Sequence, residues 1–433
     1  MKKGNSIVAL MLLIFFVISL LQNMLGPLIP EIIDDFNLNL TLAGFLPFSF
    51  FIAYAVISIP SGFLLEKYKE KVILLIAFSI SFTGAFLFAT NSNFTYALIS
   101  LFLMGSGVAM LQVAINPLLR VAGGEKHFAF NSVLAQLIFG SASFISPKLY
   151  TYFVQNLQDS IEPKNGIIKL FALVVPENLP WISLYWVLVI VTLLMIVIIA
   201  VIRIPKVELS EDERIGHKNN IILLFKDRIV ILYFIGIIAY VGTEQGIANW
   251  ISKFLLNYHE FDPQTIGATV VSNFWGLMTV GCLLGLFLLK IFDSQKVLII
   301  FSIAAIVSLT FGLCGPGKVA LIAFPLVGFF ASVMWSIIFS LALNSVSEHH
   351  GAFSGILCTG ISGGAIVPVI IGVLGNLFGL RFGMFFLYIT LGFILSIGFW
   401  AKPLISNETI KGKRDAVKLL AKDNGLIQEK SKY

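Results

Sequence analysis

The sequence predicts an all-α membrane protein of twelve transmembrane helices, arranged as two pseudo-symmetric six-helix bundles. Three observations lead there. The chain is 58% hydrophobic and only 12% charged, about half the charged fraction of an average soluble domain. Apolar stretches of about 20 residues, the length that crosses a ~30 Å hydrocarbon core, recur throughout the 433 residues. Local patterns of the first half also return in the second, as they do in transporters built from repeats. Barrel strands would be shorter and would alternate polar with apolar residues, and these stretches do neither.

The twelve spans are read at 7–29, 42–65, 72–90, 95–120, 132–153, 181–202, 229–256, 266–292, 297–314, 319–346, 354–378 and 382–404. The first is not a cleavable signal, because its apolar run is too long and no small-residue cleavage site precedes Asn23. A charged stretch at 203–228 separates six spans from six. The expected units are therefore a bundle at 1–202, a linker at 203–228, a bundle at 229–404 and a polar, basic tail at 405–433. Lys71-Val72-Ile73-Leu74-Leu75 follows the charged turn after the second span, and Lys296-Val297-Leu298-Ile299-Ile300 follows the one after the eighth. Ala129-Phe130 and Ala352-Phe353 open the fifth and eleventh spans, and Pro147 and Pro368 sit at similar depths in them. In the 155–180 connection, Phe171 to Val175 is expected to dip into the membrane interface; in the tail, Lys411 to Lys422 reads as a surface helix.

The basic residues orient the chain. With the termini and the even-numbered connections on one side, that side holds every Lys and Arg except Lys148, Lys164, Lys169, Lys253, Lys318 and Arg381. The positive-inside rule then puts both termini in the cytoplasm. No compact basic face exists for a nucleic-acid partner. Cys282, Cys314 and Cys358 lie in or at the ends of apolar segments and match no disulfide or zinc spacing, so they read as buried free thiols. The five histidines lie in or near connections, which leaves no intramembrane constellation for an enzyme, and no cofactor is expected. Gly281 and Gly285 read as a close-packing pair; no Walker lysine follows them.

Polar residues inside the spans carry the functional signal. Glu244 lies deep in the seventh, and an intramembrane carboxylate faces a protein interior or a wet cavity. It could bind substrate or a cation, or act as a structural carboxyl tying the seventh span to the eleventh. Gln245 and Asn249 are four residues apart beside it, as Gln112 and Asn116 are in the fourth span, so each pair shares a helix face. Asn116 precedes Pro117, which frees a carbonyl and bends a helix. Asn23, Gln136 and Asn273 add amides from the first, fifth and eighth spans, and Trp275 and Trp335 add aromatic faces. Amides donate and accept, matching sugar hydroxyls, and an indole covers the apolar face of a ring. The competing reading is that the amides hold helices together. Lys148 reads as snorkelling to the outer interface.

Gly62-Phe63-Leu64-Leu65-Glu66-Lys67-Tyr68-Lys69-Glu70-Lys71 resembles the signature between spans two and three of the major facilitator superfamily, with Glu66 in place of the usual aspartate. A narrower set of segments resembles the fucose/glucose/galactose–cation symporter family. These are Ala43-Gly44 through Ile59-Pro60-Ser61-Gly62, Asn116-Pro117, Leu134-Ala135-Gln136, Tyr240-Val241-Gly242-Thr243-Glu244 through Trp250, Ile338-Phe339-Ser340-Leu341 and Gly363-Gly364-Ala365-Ile366-Val367-Pro368. The resemblance covers nearly all spans and leaves out the linker and the tail. It implies the major facilitator fold and cation-coupled sugar uptake. Where the fucose–proton members carry acids in the first and fourth spans, this chain has Gly26 and Gln112; where glucose-type members often carry an arginine in the eighth, it has Cys282. Coupling would then rest on Glu244 or on a sodium site of neutral oxygens.

The expectation is thus an alternating-access importer of a monosaccharide or sugar derivative, coupled to a proton or sodium, in a bacterial inner membrane. Its partners would be the sugar, the ion and the lipid bilayer, and the protein is expected to be a monomer. Gln112, Asn116, Gln136, Gln245, Asn249 and Asn273 would hold hydroxyls, with Asn23 nearby, Trp275 and Trp335 would stack on the ring, and Glu244 would bind hydroxyls or the cation. The rivals are an exporter of amphipathic compounds or lipids on the same fold, a sugar uniporter, and a non-transporting membrane sensor. The orientation is tested by a reporter fused near Asp212, expected on the cytoplasmic side, and one within 155–180, expected on the other. A periplasmic signal from the Asp212 fusion overturns it.

Overall fold

The computed structural model describes residues 2–123, 128–158, 166–204, 224–346 and 350–404. Within these, helices follow the twelve predicted spans in order. The first span is Lys2–Asn23 continued by Leu25–Asp35; the second to fifth are Leu40–Lys67, Glu70–Thr90, Phe94–Gly123 and Phe128–Gln158. The sixth is Ser183–Val201, entered through a 3-10 turn at Pro180–Ile182. The seventh is Arg228–His259, the eighth Ala268–Ile291 after a π turn at Pro263–Gly267, and the ninth Ser294–Cys314. The tenth is Gly317–Ala331 with Met334–Leu343, the eleventh His350–Thr359 with Gly363–Phe378, and the twelfth Leu380–Met384 with Phe386–Trp400. Eleven helical segments among the described residues are long and apolar enough to cross a membrane, and the 31-residue fifth span completes the set. No strand occurs among the described residues. Exposed side chains such as Phe399, Leu377, Phe287 and Ile300 form the apolar exterior that lipid covers.

Polar residues start these helices. The side chain of Asn39 accepts from Leu42 N at 2.8 Å, Asp227 from Ile229 N at 2.8 Å and Asp293 from Gln295 N at 2.9 Å, each satisfying one orphan donor of a helix N-terminus. The first span departs from expectation. It does not end at 29 but continues to Asp35, with its break at Asn23–Met24. Pro27 has no N–H to donate to the Asn23 carbonyl one turn earlier, and in the first turn of the second segment that missing donor costs little. I the tenth span breaks at Ser332–Val333, where Gly281 and Gly285 of the eighth lie against Ser332 and Val333.

The two halves share a terminal device. Lys71 Nζ at the start of the third span donates to Ala200 O at 2.7 Å and Ile202 O at 3.0 Å, capping the end of the sixth. In the second half the Gln295 amide donates to Ala401 O, capping the end of the twelfth from the start of the ninth. The pairing is the pseudo-symmetry expected from the sequence. The ends near residues 35–40, 90–94, 158–180, 259–263, 314–317 and 378–380 define one face, here the distal face; the opposite, terminal face carries the start of the first span and the end of the twelfth.

The helix Gly166–Ala172 lies in the 155–180 connection. Phe171 and Val175, expected to meet the membrane, are buried against the protein instead, with Phe171 4.8 Å from the Phe153 ring. Between them Leu173 and Val174 are exposed, as are Ile167 and Leu170. The tail helix expected at 411–422 and most of the 203–228 linker lie outside the described residues. All three cysteines are free, but none is fully buried as expected: Cys282 and Cys358 are half-buried, and Cys314 is exposed because it ends the ninth span at the distal face.

One consequence is testable. A leucine at Gly285 must displace Val333 at the break of the tenth span, and overpacking of this kind costs about 1–3 kcal/mol. Gly285→Leu is expected to lower the thermal midpoint of the detergent-purified protein by several degrees, whereas Gly392→Leu, with open space around it, should leave it unchanged.

Candidate functional site

The seventh span is the spine of the site. From Ala239 to Leu255 every residue is buried, so its polar side chains must find partners inside the protein. Glu244 is 9% exposed. Gln245 Nε2 donates to Glu244 Oε1 at 3.1 Å, and the Tyr240 hydroxyl, one turn earlier, also hydrogen-bonds the carboxylate. Both partners belong to the seventh span itself. The structural alternative, a tie from Glu244 to the eleventh span, is not what the described residues form; Trp250 makes that tie, donating to Pro368 O at 3.2 Å. No Lys, Arg or His among the described residues forms an ion pair with Glu244. Tyr54 of the second span and Cys282 of the eighth lie within electrostatic range of it.

A polar chain runs from Glu244 across the boundary between the halves. Gln245 Nε2 reaches Asn23 Oδ1 at 3.4 Å, and Asn249 Nδ2 donates to Gln245 O at 2.8 Å and to Gln245 Oε1 at 3.2 Å. Asn23 Nδ2 donates to Ser143 Oγ at 2.8 Å, and Ser143 meets Ser19 Oγ at 2.7 Å. The first, fifth and seventh spans are thereby linked by side chains with almost no access to solvent. Nearby, Tyr54 donates to Gln22 Oε1 at 3.1 Å. An aromatic wall stands beside the carboxylate: Tyr240 and Trp335 have ring centroids 6.0 Å apart, and Trp335 stacks on Phe339 at 5.7 Å. Trp335 keeps part of its surface exposed.

The structure brings together Asn23, Glu244, Gln245, Asn249 and Trp335. Gln136 is exposed, yet at 100° per residue it lies on the side of its helix opposite the stripe Ser141, Ile145, Lys148 and Tyr152. It therefore opens to the interior between the halves rather than to lipid. Lys148 sits on that outward stripe with its Nζ 3.9 Å from the Phe144 ring centroid, as a snorkelling residue would. Gln112 is half-buried, and the side chain of Asn116 lies outside the described residues. Trp275 is 3% exposed and its Nε1 has no hydrogen-bond partner; it shares the inward face of the eighth span with Met278 and Cys282. Asn273 is not brought in. It is exposed on the same stripe as Val280, Leu284 and Phe287, opposite Trp275, because two residues along a helix rotate the side chain by about 200°.

Sequence reasoning missed Ser19, Ser143, Tyr240, Gln22 and Tyr54. Ser19 and Asn23 carried a usable signal, being four apart and so on one face. Gln22, an amide inside the first span, and Tyr240, four residues before Glu244, carried one too; Ser143 had none, since Ser and Thr in apolar helices commonly bond their own backbone carbonyls.

The family model of the Major Facilitator Superfamily matches residues 11–368. The chain belongs to this superfamily. It is a multi-pass membrane transporter. It is 29% identical over 380 residues to the "Glucose/galactose transporter" of Brucella abortus biovar 1 (strain 9-941), covering 85% of this chain and 87% of that one. It is 24% identical over 389 residues to the "L-fucose-proton symporter" of Escherichia coli (strain K12), covering 86% and 87%. Among solved structures, the E. coli Fucose:proton symporter superposes with a TM-score of 0.65 at 22% identity, covering 92% of this chain and 99% of that one. A D-xylose-proton symporter superposes with a TM-score of 0.70 at 12% identity, covering 94% and 98%. At these identities the superpositions speak for the fold.

The amide chain yields a prediction. Asn23→Ala leaves Ser143 and Gln245 short of a partner, and a buried group so stranded costs about 1–3 kcal/mol. Asn23→Ala is expected to lower the thermal midpoint, Gln245→Ala to do likewise, and the double variant to lose less than the sum. Strict additivity would show that the two side chains do not interact in solution.

Proposed function

We propose that the protein imports a monosaccharide or a close derivative by alternating access, coupled to a cation, with both termini in the cytoplasm. One observation carries the reading. An uncompensated carboxylate, Glu244, stands between a ladder of amides and the Tyr240–Trp335 wall, at the boundary between the two halves. Transporters of this architecture place their substrates at that boundary. Amides matched to hydroxyls beside an aromatic face suit a sugar ring. The relatives' names, a glucose/galactose transporter and a fucose–proton symporter, support the same class.

Trp335 is the stacking surface in this reading, with Gln136, Gln245, Asn249 and, from the fourth span, Gln112 and Asn116 as hydroxyl partners. Trp275 takes a different part from stacking: its unpartnered indole N–H is a donor for a substrate oxygen. Glu244 is the cation-responsive group. A proton or sodium ion on it removes the cost of an isolated charge in the membrane interior, and that gain ties ion binding to the arrangement of helices around it. Asn23 is more structural than substrate-binding, since its amide is already taken up by Ser143 and Gln245.

Proteoliposomes with imposed sodium and proton gradients test the proposal. Glu244→Gln keeps the shape and loses the charge, so it should abolish uphill sugar accumulation while retaining exchange. Gln136→Ala should weaken sugar binding by about tenfold, one hydrogen bond's worth, without lowering stability. Undiminished gradient-driven accumulation by Glu244→Gln removes that residue from coupling. Failure of every hexose, pentose and deoxy sugar to raise the thermal midpoint of the wild type removes the sugar reading, since a ligand of the folded state must stabilise it.

A further inference from the structure

At the distal face the halves are pressed together, and one carboxylate oxygen lies at the joint. Glu31 lies near the distal end of the first span, half-buried. Its Oε1 accepts from Gln264 Nε2 at 2.9 Å and from the Tyr150 hydroxyl at 3.2 Å. Tyr150 belongs to the fifth span and is fully buried; Gln264 belongs to the turn that opens the eighth. The backbone of Gln264 is held as well, its carbonyl accepting from Thr151 Oγ1 at 2.6 Å. A single acceptor therefore joins two spans of the first half to the entrance of the second.

The surroundings close on the same seam. Lys253 of the seventh span pairs with Asp34 at 3.4 Å, and a Cβ added at Gly26 would fall 2.5 Å from Ala248 O. Trp181 Nε1 donates to Asp35 Oδ2 at 2.5 Å, fixing the end of the first span to its own half. When the halves part at this face, Gln264 leaves with the eighth span while Tyr150 stays with Glu31. The Glu31–Gln264 bond is thus made in one arrangement and broken in the other, and a two-state element is biased by contacts of that kind. The Asp34–Lys253 pair cannot do the same work alone, because Asp34 is 67% exposed and exposed ion pairs contribute little.

We propose that Glu31 is the latch of the distal gate: its carboxylate, shared by Tyr150 and Gln264, holds the two halves closed at that face. The role is independent of which substrate is carried, so it can fail while the sugar reading stands, and the reverse.

The test uses the full chain in lipid nanodiscs, with Cys282, Cys314 and Cys358 replaced by serine. Spin labels on Thr90→Cys and Lys318→Cys, at exposed distal-face positions of the two halves, report the gap by double electron–electron resonance. Glu31→Leu and Gln264→Leu are each expected to move the closed-to-open ratio toward open by about fivefold to tenfold, the worth of one hydrogen bond. Glu31→Gln should stay near the wild type, because its amide oxygen still accepts from both donors. Circular dichroism and monodispersity establish that each variant is folded, and Gln264→Leu serves where Glu31→Leu is not. A wild-type distance distribution in a folded leucine variant overturns the latch. So does a Glu31→Gln variant as open as Glu31→Leu, which would make charge rather than the shared acceptor the cause.

Discussion

A carboxylate in the middle of a membrane protein, with no cation to meet it, constrains everything around it. Holding an acid at the centre of a membrane helix costs about 3 kcal/mol on insertion scales, and no basic residue among the described ones offsets that for Glu244. The seventh span answers with its own side chains, Tyr240 one turn earlier and Gln245 alongside. Gln245 also donates toward Asn23 and accepts from Asn249. Each amide hands the requirement on, until it reaches Ser143 and Ser19 in the other half. The polar chain is therefore a consequence of the acid as much as a site in its own right. The same chain links Glu244, through Gln245 and Asn23, to the other half.

Backbone chemistry sets where that chain can cross. Pro27 leaves the Asn23 carbonyl without its helical donor and breaks the first span there. The break lies where the first and seventh spans approach and where Asn23 turns toward Gln245. Three residues later Gly26 lies against the Ala248 backbone. An acid at position 26, as in the fucose–proton members that the sequence resembles, has no room in this arrangement. At that point the first span makes a close backbone seal against the seventh, and the core carboxylate stands on the seventh span.

The fold was legible because membrane crossing demands long apolar runs, and these leave a plain signal in composition and in the spacing of charged turns. The repeat was legible for a similar reason: Lys71 and the Gln295–Lys296 pair stand where each half must cap a helix end. Glu244, Gln245 and Trp335 were legible as polar or indole groups too costly to place inside a membrane without use. Asn273 was misread by the same rule, because the rule does not say which way a helix faces. Val280, Leu284 and Phe287 settle that only once their exposure is known. Glu31 lies beyond residue 29, where the apolar pattern places the end of the first span. A proline in the sequence suggests a stop, whereas here the helix runs through it to Asp35.

The positions of the two acids divide the work. Glu244 is buried and bonded within its own helix, so its charge acts on the interior and is felt by Tyr54 and Cys282 from neighbouring spans. Glu31 is half-buried and bonded across the seam, so it acts on the distance between the halves. The Asn23–Gln245 contact lies between them along the first span, and it too crosses the seam. On the proposed latch, opening at the distal face parts Glu31 from Gln264, and the deeper Asn23–Gln245 contact is the next one across the same seam. If Glu244 takes the coupling ion, as proposed, that ion meets a carboxylate bonded to the one amide, Gln245, that also reaches Asn23 of the other half. The first span, kinked at Asn23–Met24, thus carries both contacts across the seam, Asn23 to Gln245 in the core and Glu31 to Gln264 at the face.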